Sequence, residues 1–332
     1  MRYIIIGAGA VGGAIGGRLH AAGHDVVLVA RGAHAAAVRE EGLRLRTPDE
    51  SLTLRGIPVA EGPEAVQLRR DDVLLLAVKT QDSVAALDAW AGRPVARGGT
   101  AGEVLPVFCA QNGVANEELA LRRFRQVYGM CVWLPAQYLE PGVITAGGSP
   151  LTGMLITGGY PGGSDTTARR VAADLEKSQF LAPVTREVMR WKYAKLLTNL
   201  VNALEALCGP VRGEPLAGVG ARAREEGVAA LAAAGIPHAT PEEEAELRGD
   251  RVRLLPVAGV ERGGGSSWQS LRRGAGSIEA DYLNGEIVLL GRRHGVPTPV
   301  NELLQRHAND FAHRGRPPGS LPVAELLGAL NP

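Results

Sequence analysis

The sequence begins with a short apolar run that passes directly into a glycine-rich turn. Residues 3–6 are branched and continuously apolar, a pattern typical of a strand buried on both faces of a sheet. The next six residues read GAGAVG, and residues 13–22 place Ile15 and Leu19 on one face of a helix that Gly23 ends. A strand, a tight turn and a helix in this order predict the first unit of a parallel α/β sheet.

The glycines of this turn have the spacing of a dinucleotide-binding site. The first permits the tight turn, the second admits a pyrophosphate close to the backbone, and the third lets the helix pack on the strand. The spacing alone is weak evidence in a chain with 44 glycines among 332 residues, but its position between a buried strand and a helix strengthens it. We therefore expect a nucleotide phosphate at the helix start. The contacts would come from Gly7, Ala8, Gly9, Ala10, Val11 and Gly12.

Arg31 follows the second predicted strand, residues 26–30, where an NAD site usually carries Asp or Glu. A guanidinium pairs with a 2′-phosphate through charge-assisted hydrogen bonds, whereas a carboxylate repels it. The position therefore favours NADPH over NADH as the cofactor. The alternative, a solvated surface arginine, does not explain the missing acid.

Lys79 and Asn112 each stand just beyond a predicted strand, over residues 73–78 and 104–110 respectively. Ligands of open α/β sheets bind outside the carboxyl ends of the strands, so both side chains are candidates for the cofactor or substrate edge. Taken singly, each is also a common kind of turn residue.

The chain is too long for one ordinary hydrophobic core, and its pattern changes near residue 184. Strands and helices alternate up to this point, with a hairpin predicted over residues 43–54 and further strands over 127–162. An uninterrupted helical pattern then runs from 185 to 207. Later helical segments are 220–235, 241–247, 277–294 and 301–312. We predict an α/β domain over residues 1–184 and a mostly α-helical domain over 185–332, with a flexible joint at 263–267.

The long predicted helix carries Lys195, Asn199 and Asn202 on one stripe, because offsets of four and seven return to the same face. Three polar groups on one narrow face are suited to lining a binding cleft. A solvated face that also includes Arg190 or Lys192 fits the same spacing equally well.

Ser267 and Glu279 lie at the joint and at the start of the following predicted helix. From local spacing alone, Glu279 is a first-turn carboxylate favoured by the helix dipole, with Ser277 as the N-cap. A functional role for either residue therefore needs evidence from outside this segment.

Charge and composition weigh against several other functions. A net charge of +1 and an aromatic content of 4% disfavour nucleic acid as a partner. The three cysteines and seven histidines form none of the common metal-binding motifs, so we expect no metal. No apolar run reaches 18 residues, which predicts a soluble protein without a membrane partner, and the widely spaced cysteines fit the cytoplasm.

Seven sequence features, taken in order, resemble those of the ketopantoate reductase family across essentially the whole chain. They are GAGAVGG at 7–13, Arg31, VKTQ at 78–81, QNG at 111–113, KLLTN at 195–199, SSW at 266–268 and EADYLNG at 279–285. Members of this family have an N-terminal Rossmann domain and an α-helical C-terminal domain, and they reduce 2-dehydropantoate to (R)-pantoate with NADPH in pantothenate biosynthesis. The resemblance implies this fold, cofactor and 2-oxo-acid substrate here, and also a homodimer.

The resemblance also implies roles for individual residues. Lys195 would be the catalytic general acid, and Glu279 its partner, which contacts the substrate hydroxyl and the cofactor. Asn112, Asn199 and Ser267 would bind the substrate, with Asn112 also near the nicotinamide. The remaining cofactor positions would be the glycine-rich turn, Arg31 and Lys79.

One position departs from the family pattern. The family commonly has a second substrate-binding asparagine eight residues after the lysine, where this chain has Ala203, and Asn202 stands one place earlier. Because one residue turns a helix by about 100°, Asn202 takes that role only if the helix bulges or its register shifts. This departure leaves open a relative that reduces a different 2-oxo acid. A non-catalytic NADP(H)-binding regulator that keeps the fold is a separate alternative.

Overall fold

A computed structural model describes residues 1–260 and 263–330, which fall into two compact units. The first contains residues 1–192 and 240–260, and the second contains residues 193–239 and 263–330. The strands are β1 (Arg2–Ile6), β2 (Asp25–Val29), β3 (Leu43–Arg46), β4 (Ser51–Leu54), β5 (Val59–Ala60), β6 (Asp72–Leu76), β7 (Pro106–Cys109), β8 (Gln126–Trp133), β9 (Ala136–Glu140), β10 (Val143–Ala146), β11 (Gly148–Pro150), β12 (Gly153–Gly159), β13 (Phe180–Leu181) and β14 (Val252–Leu254). The helices are α1 (Ala10–Ala21), α2 (Gly32–Glu41), α3 (Ser83–Ala91), α4 (Ala101–Val104), α5 (Asn116–Leu121), α6 (Thr166–Lys177), α7 (Val188–Asn199), α8 (Val201–Cys208), α9 (Leu216–Ala233), α10 (Pro241–Arg248), α11 (Ser266–Arg272), α12 (Asn284–His294), α13 (Pro299–His313) and α14 (Val323–Leu330).

The first unit is built on an eight-stranded sheet with the order β13-β12-β8-β7-β6-β1-β2-β5. The strands from β8 to β5 are mutually parallel, and β12 and β13 run antiparallel to them. The chain moves outward from β1 through β2 to β5 and then returns to β6 on the other side of β1. This reversal creates a crevice outside the carboxyl ends of β1 and β6, the usual ligand position in such sheets.

Strand β1 is buried along its whole length. Tyr3 and Ile5 join the apolar cluster on one face of the sheet, and Ile4 and Ile6 join the cluster on the other face. Both faces are covered, which is why the run is continuously apolar instead of alternating. The predicted class, a parallel α/β unit followed by a mostly helical part, is confirmed.

A smaller sheet in the same unit contains the predicted hairpin. β3 and β4 pair antiparallel, and the turn between them closes with a 2.8 Å hydrogen bond from the Thr47 amide to the Glu50 carbonyl. β10 adds to β3 and pairs with β9, giving the order β4-β3-β10-β9. The further strands expected over residues 127–162 are therefore present.

The first unit extends beyond residue 184, where the sequence pattern changes. It includes the first turns of α7 and takes in residues 240–260, because β14 pairs antiparallel with β11. Three residues of strand carry too little periodicity to be recognised in the sequence, so β14 was not expected.

The second unit is helical, but two of its predicted helices are interrupted. The pattern over 185–207 forms α7 and α8, which are separated at Leu200, and the Asn284 side-chain amide donates a 2.9 Å hydrogen bond to the Leu200 carbonyl. Ahead of α12, Glu279–Tyr282 forms a separate 3₁₀ turn. Residues 266 and 267, expected in the joint, begin α11. Among the helices of the described ranges, none is both long and apolar enough to cross a membrane.

Candidate functional site

The three glycines of the turn between β1 and α1 have different structural surroundings. Gly7 has a φ of +99°, and a Cβ there would stand 2.8 Å from Val78 Cγ1. A Cβ on Gly12 would overlap the Gly7 carbonyl oxygen. The Cβ position of Gly9, by contrast, meets no atom of the described chain within 4 Å. Protein packing therefore requires glycine at the first and third positions, and the second leaves space for a ligand.

The start of α1 adds an electrostatic reason for binding phosphate there. Gly9 is the N-cap of this 12-residue helix, and no side chain caps it. The first amides of a helix and the positive end of its dipole favour an anion. Open space at Gly9 and this helix start fit the pyrophosphate of a dinucleotide, so the residues present suit the expected cofactor.

His34, which no sequence motif marks, holds this turn. Its Nδ1 accepts a hydrogen bond from the Gly142 amide (2.9 Å), so the neutral ring carries its proton on Nε2 and donates it to the Ala8 carbonyl (2.8 Å). The ring also packs 4.6 Å from that of Tyr138. Burial lowers the pKa of His34, which keeps the imidazole neutral. The partners lie far apart in sequence, so local spacing gives no sign of this role.

We expect the thermal midpoint to fall as the pH drops below about 6.5, the ordinary pKa of histidine. Unfolded His34 takes up a proton there, but burial lowers the folded-state pKa, so acid favours the unfolded chain. The contribution of His34 to the free energy of unfolding is complete above this pH. It declines by up to about 1.4 kcal/mol per pH unit as the pH falls towards the folded-state pKa. Calorimetry should show a smaller acid-side decrease for His34→Gln than for the wild type. The exposed control His313→Gln should match the wild type, and identical decreases in all three proteins would contradict the role of His34.

Arg31 lies just beyond β2, exposed, as the N-cap of α2. Its Nε donates to the Glu61 carbonyl (3.2 Å), and the Glu61 carboxylate is paired with Arg39 (2.7 Å). Two guanidinium groups thus contact residue 61 at this end of β2 and β5. Because the Glu61 carboxylate offsets the charge of Arg39, the Arg31 guanidinium supplies the positive charge that favours a 2′-phosphate.

Replacing Arg31 with alanine should raise the Kd for NADPH by roughly 10- to 100-fold and leave the Kd for NADH nearly unchanged. One hydrogen bond to a charged group contributes about 1.5–3 kcal/mol, which corresponds to this range. Fluorescence titration with each nucleotide measures both constants. Arg69→Ala is the control, because Arg69 is exposed and pairs with Asp25 at the opposite end of β2. Equal weakening for both nucleotides in the Arg31 variant would count against the 2′-phosphate contact.

Lys79 and Asn112 lie beyond the carboxyl ends of the adjacent parallel strands β6 and β7. Both side chains are half-buried. The glycine-rich turn and Arg31 follow β1 and β2, the next two strands in the sheet order. The structure therefore places all the predicted nucleotide positions of the first unit along one edge of the sheet.

The three polar residues predicted on one helix lie on two helices, because the helix is interrupted at Leu200. Lys195 and Asn199 lie on α7, whereas Asn202 lies on α8. Lys195 is half-buried and Asn199 is 5% exposed. Asn202 Oδ1 stands 3.3 Å from the Cβ position of Gly265, immediately before α11. Asn202 is therefore separated from Asn199 by the interruption at Leu200.

Ser267 and Glu279 are both buried, at 2% and 4% exposure. Ser267 lies in the first turn of α11, and Glu279 opens a 3₁₀ turn that precedes α12. Glu279 is therefore not the solvated first-turn carboxylate of a long helix. Buried carboxylates are costly, and they occur more often at functional sites than on ordinary helix ends.

The alternative of a solvated face on the long helix is wrong for Lys192, which is 2% exposed. Its ammonium forms a buried ion pair with Glu117, while Arg190 pairs with Glu243 at 2.6 Å. Periodicity does not reveal such a pair, because Glu117 belongs to a different part of the chain. Within residues 1–260 and 263–330, no group of three His, Cys, Asp or Glu side chains could hold a metal ion.

Comparisons with known proteins cover nearly the whole chain. Residues 3–154 match the family described as "Ketopantoate reductase PanE/ApbA", and residues 187–311 match "Ketopantoate reductase PanE/ApbA C terminal". A 2-dehydropantoate 2-reductase of Pyrococcus abyssi (strain GE5 / Orsay) is 26% identical over 311 residues, which cover 92% of this chain and 95% of that protein. The crystal structure of a PanE/ApbA family ketopantoate reductase from Ralstonia eutropha JMP134 superposes with a TM-score of 0.77 at 28% identity, over 95% of this chain and all of that chain. A ternary structure of D-mandelate dehydrogenase with NADH and anilino(oxo)acetate shares the fold, with a TM-score of 0.78 at 22% identity, over 96% of this chain and all of that chain.

Proposed function

The chain belongs to the ketopantoate reductase family, and from this premise we propose that it reduces 2-dehydropantoate to (R)-pantoate with NADPH. The observation that carries the proposal is the family match over both parts of the chain, 3–154 and 187–311. The first part contains the nucleotide turn, and the second contains Lys195, Asn199, Ser267 and Glu279. Family membership makes the chain a nicotinamide-dependent oxidoreductase that acts on 2-oxo acids.

In this proposal the first unit holds the cofactor. The amides at the start of α1 bind the pyrophosphate, Gly9 leaves the space for it, and Arg31 pairs with the 2′-phosphate. Lys79 would also bind the cofactor, and Asn112 would lie near its nicotinamide, at the same edge of the sheet. Bound NADPH supplies the hydride.

Lys195 performs the acid step. Negative charge builds on the carbonyl oxygen of the 2-oxo acid during reduction, and the Lys195 ammonium stabilises this oxygen and then donates a proton to it. The Glu279 carboxylate orients the ammonium and accepts a hydrogen bond from the substrate hydroxyl. Asn112, Asn199, Asn202 and Ser267 bind the substrate through neutral groups.

The test is a spectrophotometric assay of the purified protein with NADPH and 2-dehydropantoate. We expect the nicotinamide absorbance to decrease in proportion to the pantoate formed. No turnover of 2-dehydropantoate at saturating NADPH would overturn the proposed substrate, provided that fluorescence titration shows the nucleotide bound.

A second candidate substrate is a bulkier or more apolar 2-oxo acid. Ala203, which stands where the family commonly has asparagine, is 2% exposed on α8, and the neighbouring Asn202 Oδ1 lies 3.3 Å from the Cβ position of Gly265. A smaller polar surface at this position favours an apolar substituent on the substrate. Specificity constants over a panel of aliphatic and aromatic 2-oxo acids distinguish the two substrates.

A non-catalytic NADP(H)-binding regulator is the alternative to an enzyme, and the resemblance to the family also implies a homodimer. A regulator would need neither Lys195 nor the buried Glu279, so their presence favours an enzyme. Sedimentation equilibrium tests the proposed dimer independently of activity.

A further inference from the structure

A buried ion pair in the first unit lies outside the residues assigned to the reaction. The side chains of Lys192 and Glu117 are 1% and 0% exposed. Burial raises the pKa of the Glu117 carboxyl, and the Lys192 ammonium opposes this rise. Apolar residues of similar size would stabilise a fold at least as well as a buried ion pair in many cases. A contribution to the stability of the fold therefore does not explain why these two buried positions are charged.

A second contact of the Lys192 ammonium points to another role. The Lys192 ammonium also donates a 3.1 Å hydrogen bond to the Gln111 backbone carbonyl. Gln111 immediately precedes Asn112 in the segment after β7, where the chain has left the sheet. Lys192 thus holds the backbone unit that leads into a proposed substrate and nicotinamide contact.

The side chain of Gln111 extends the contact to the neighbouring segment. Its Nε2 donates to the Val78 carbonyl (2.7 Å), next to Lys79, and to Ser83 Oγ (2.8 Å). The Ser83 hydroxyl donates to Asn116 Oδ1 (2.7 Å). Asn116 in turn donates to Thr80 Oγ1 and to the Asn112 carbonyl, both at 3.2 Å. Residues 78–83 and 111–117 are therefore joined by one buried hydrogen-bond network that the Lys192 ammonium enters.

We propose that Lys192 and Glu117 form a positioning pair that fixes residues 111–117 and so sets the place of the Asn112 side chain during reduction. The inference rests on the proposed function, which gives Asn112 its task. Glu117 holds the ammonium, and the ammonium holds the Gln111 carbonyl. A fixed ion pair has a defined direction that an apolar pair lacks, so it specifies the backbone position more strictly.

The experiment replaces both charges together, as Lys192→Met with Glu117→Met, so that no unpaired charge stays buried. We expect thermal stability close to that of the wild type, because apolar replacement of a buried pair is often neutral. The kcat should fall about tenfold or more, since small misplacements of a substrate contact reduce rates strongly. The Kd for NADPH should change by less than about threefold, because the phosphate contacts at Gly9 and Arg31 are untouched.

Amide hydrogen exchange supplies the readout that does not depend on turnover. In the NADPH-bound double variant, the amides of residues 111–116 should exchange about tenfold faster than in the wild type, while those of β1 should not change. The matched control is Arg2→Met with Asp72→Met, which removes another buried pair, at the amino ends of β1 and β6. This control should leave kcat and the exchange of residues 111–116 at wild-type values.

Wild-type kcat together with wild-type exchange in the double variant would overturn the inference. If the double variant does not fold, Lys192→Gln keeps a neutral polar side chain at this position but removes the ammonium, and it should still accelerate exchange at 111–116. Unchanged exchange in Lys192→Gln would then overturn the inference. If the wild type does not reduce 2-dehydropantoate, the proposed function fails separately, because the exchange result needs no substrate.

Discussion

Replacing Lys195 with alanine should lower the kcat for reduction by about 10³-fold and leave the Kd for NADPH within about threefold of the wild type. General acid catalysis contributes about 10²–10⁴ in rate, and the lost ammonium also stabilises charge on the carbonyl oxygen. The glycine-rich turn proposed to bind the phosphates belongs to the other compact unit, so nucleotide binding should persist. Steady-state kinetics measures the first quantity, and NADPH fluorescence titration measures the second.

Lys195→Arg tests the positive charge at this position separately from proton donation. Arginine keeps a positive group for the carbonyl oxygen but does not release its proton at ordinary pH. Compared with Lys195→Ala, the arginine variant should therefore restore KM more than kcat. Lys177→Ala is the control, because Lys177 is exposed in the last turn of α6. A kcat within about threefold of the wild type for Lys195→Ala would refute the role of this lysine.

Replacing Gly9 with valine should weaken NADPH binding by at least about 100-fold with only a small change in thermal stability. The Cβ position of Gly9 meets no atom of the described chain within 4 Å, and its φ of −73° suits any L residue. The valine side chain would occupy the proposed place of the pyrophosphate. Losing two charge-assisted hydrogen bonds at about 1.5–3 kcal/mol each gives a weakening of this size or greater.

Two further variants distinguish a lost ligand from a damaged fold. Gly92→Val also adds a side chain in open space, at the C-cap of α3, and should keep NADPH affinity and stability. Gly12→Ala should destabilise the protein itself, because its methyl group overlaps the Gly7 carbonyl oxygen. Wild-type NADPH affinity in Gly9→Val would show that the nucleotide does not approach this turn.

The parallel sheet was predictable because its strands are buried on both faces and therefore continuously apolar. β1 and β6 show this pattern in the sequence, and the glycine-rich turn between β1 and α1 fixes the type of connection. The break at Leu200 was not predictable in the same way. The residues around it keep a helical pattern, and the group that holds the Leu200 carbonyl comes from Asn284, 84 residues away.

In the site, too, features set by the local sequence could be predicted, whereas features set by distant residues could not. The positions of Arg31, Lys79 and Asn112 at one edge of the sheet could be predicted, because each follows the carboxyl end of a parallel strand. His34 and Lys192 were not, because their roles depend on the Gly142 amide and the Glu117 carboxylate in distant segments. A lysine on a helical stripe has the same local pattern whether it is solvated or buried.

The most direct measurement uses NADPH that carries deuterium at both positions of the reactive nicotinamide carbon, with 2-dehydropantoate as the substrate. NMR of the product should show (R)-pantoate with deuterium at carbon 2, in equal amount to the NADP⁺ formed. This result would establish hydride transfer to the 2-oxo carbon by this chain. Binding of NADPH without formation of labelled pantoate would contradict the proposed reaction.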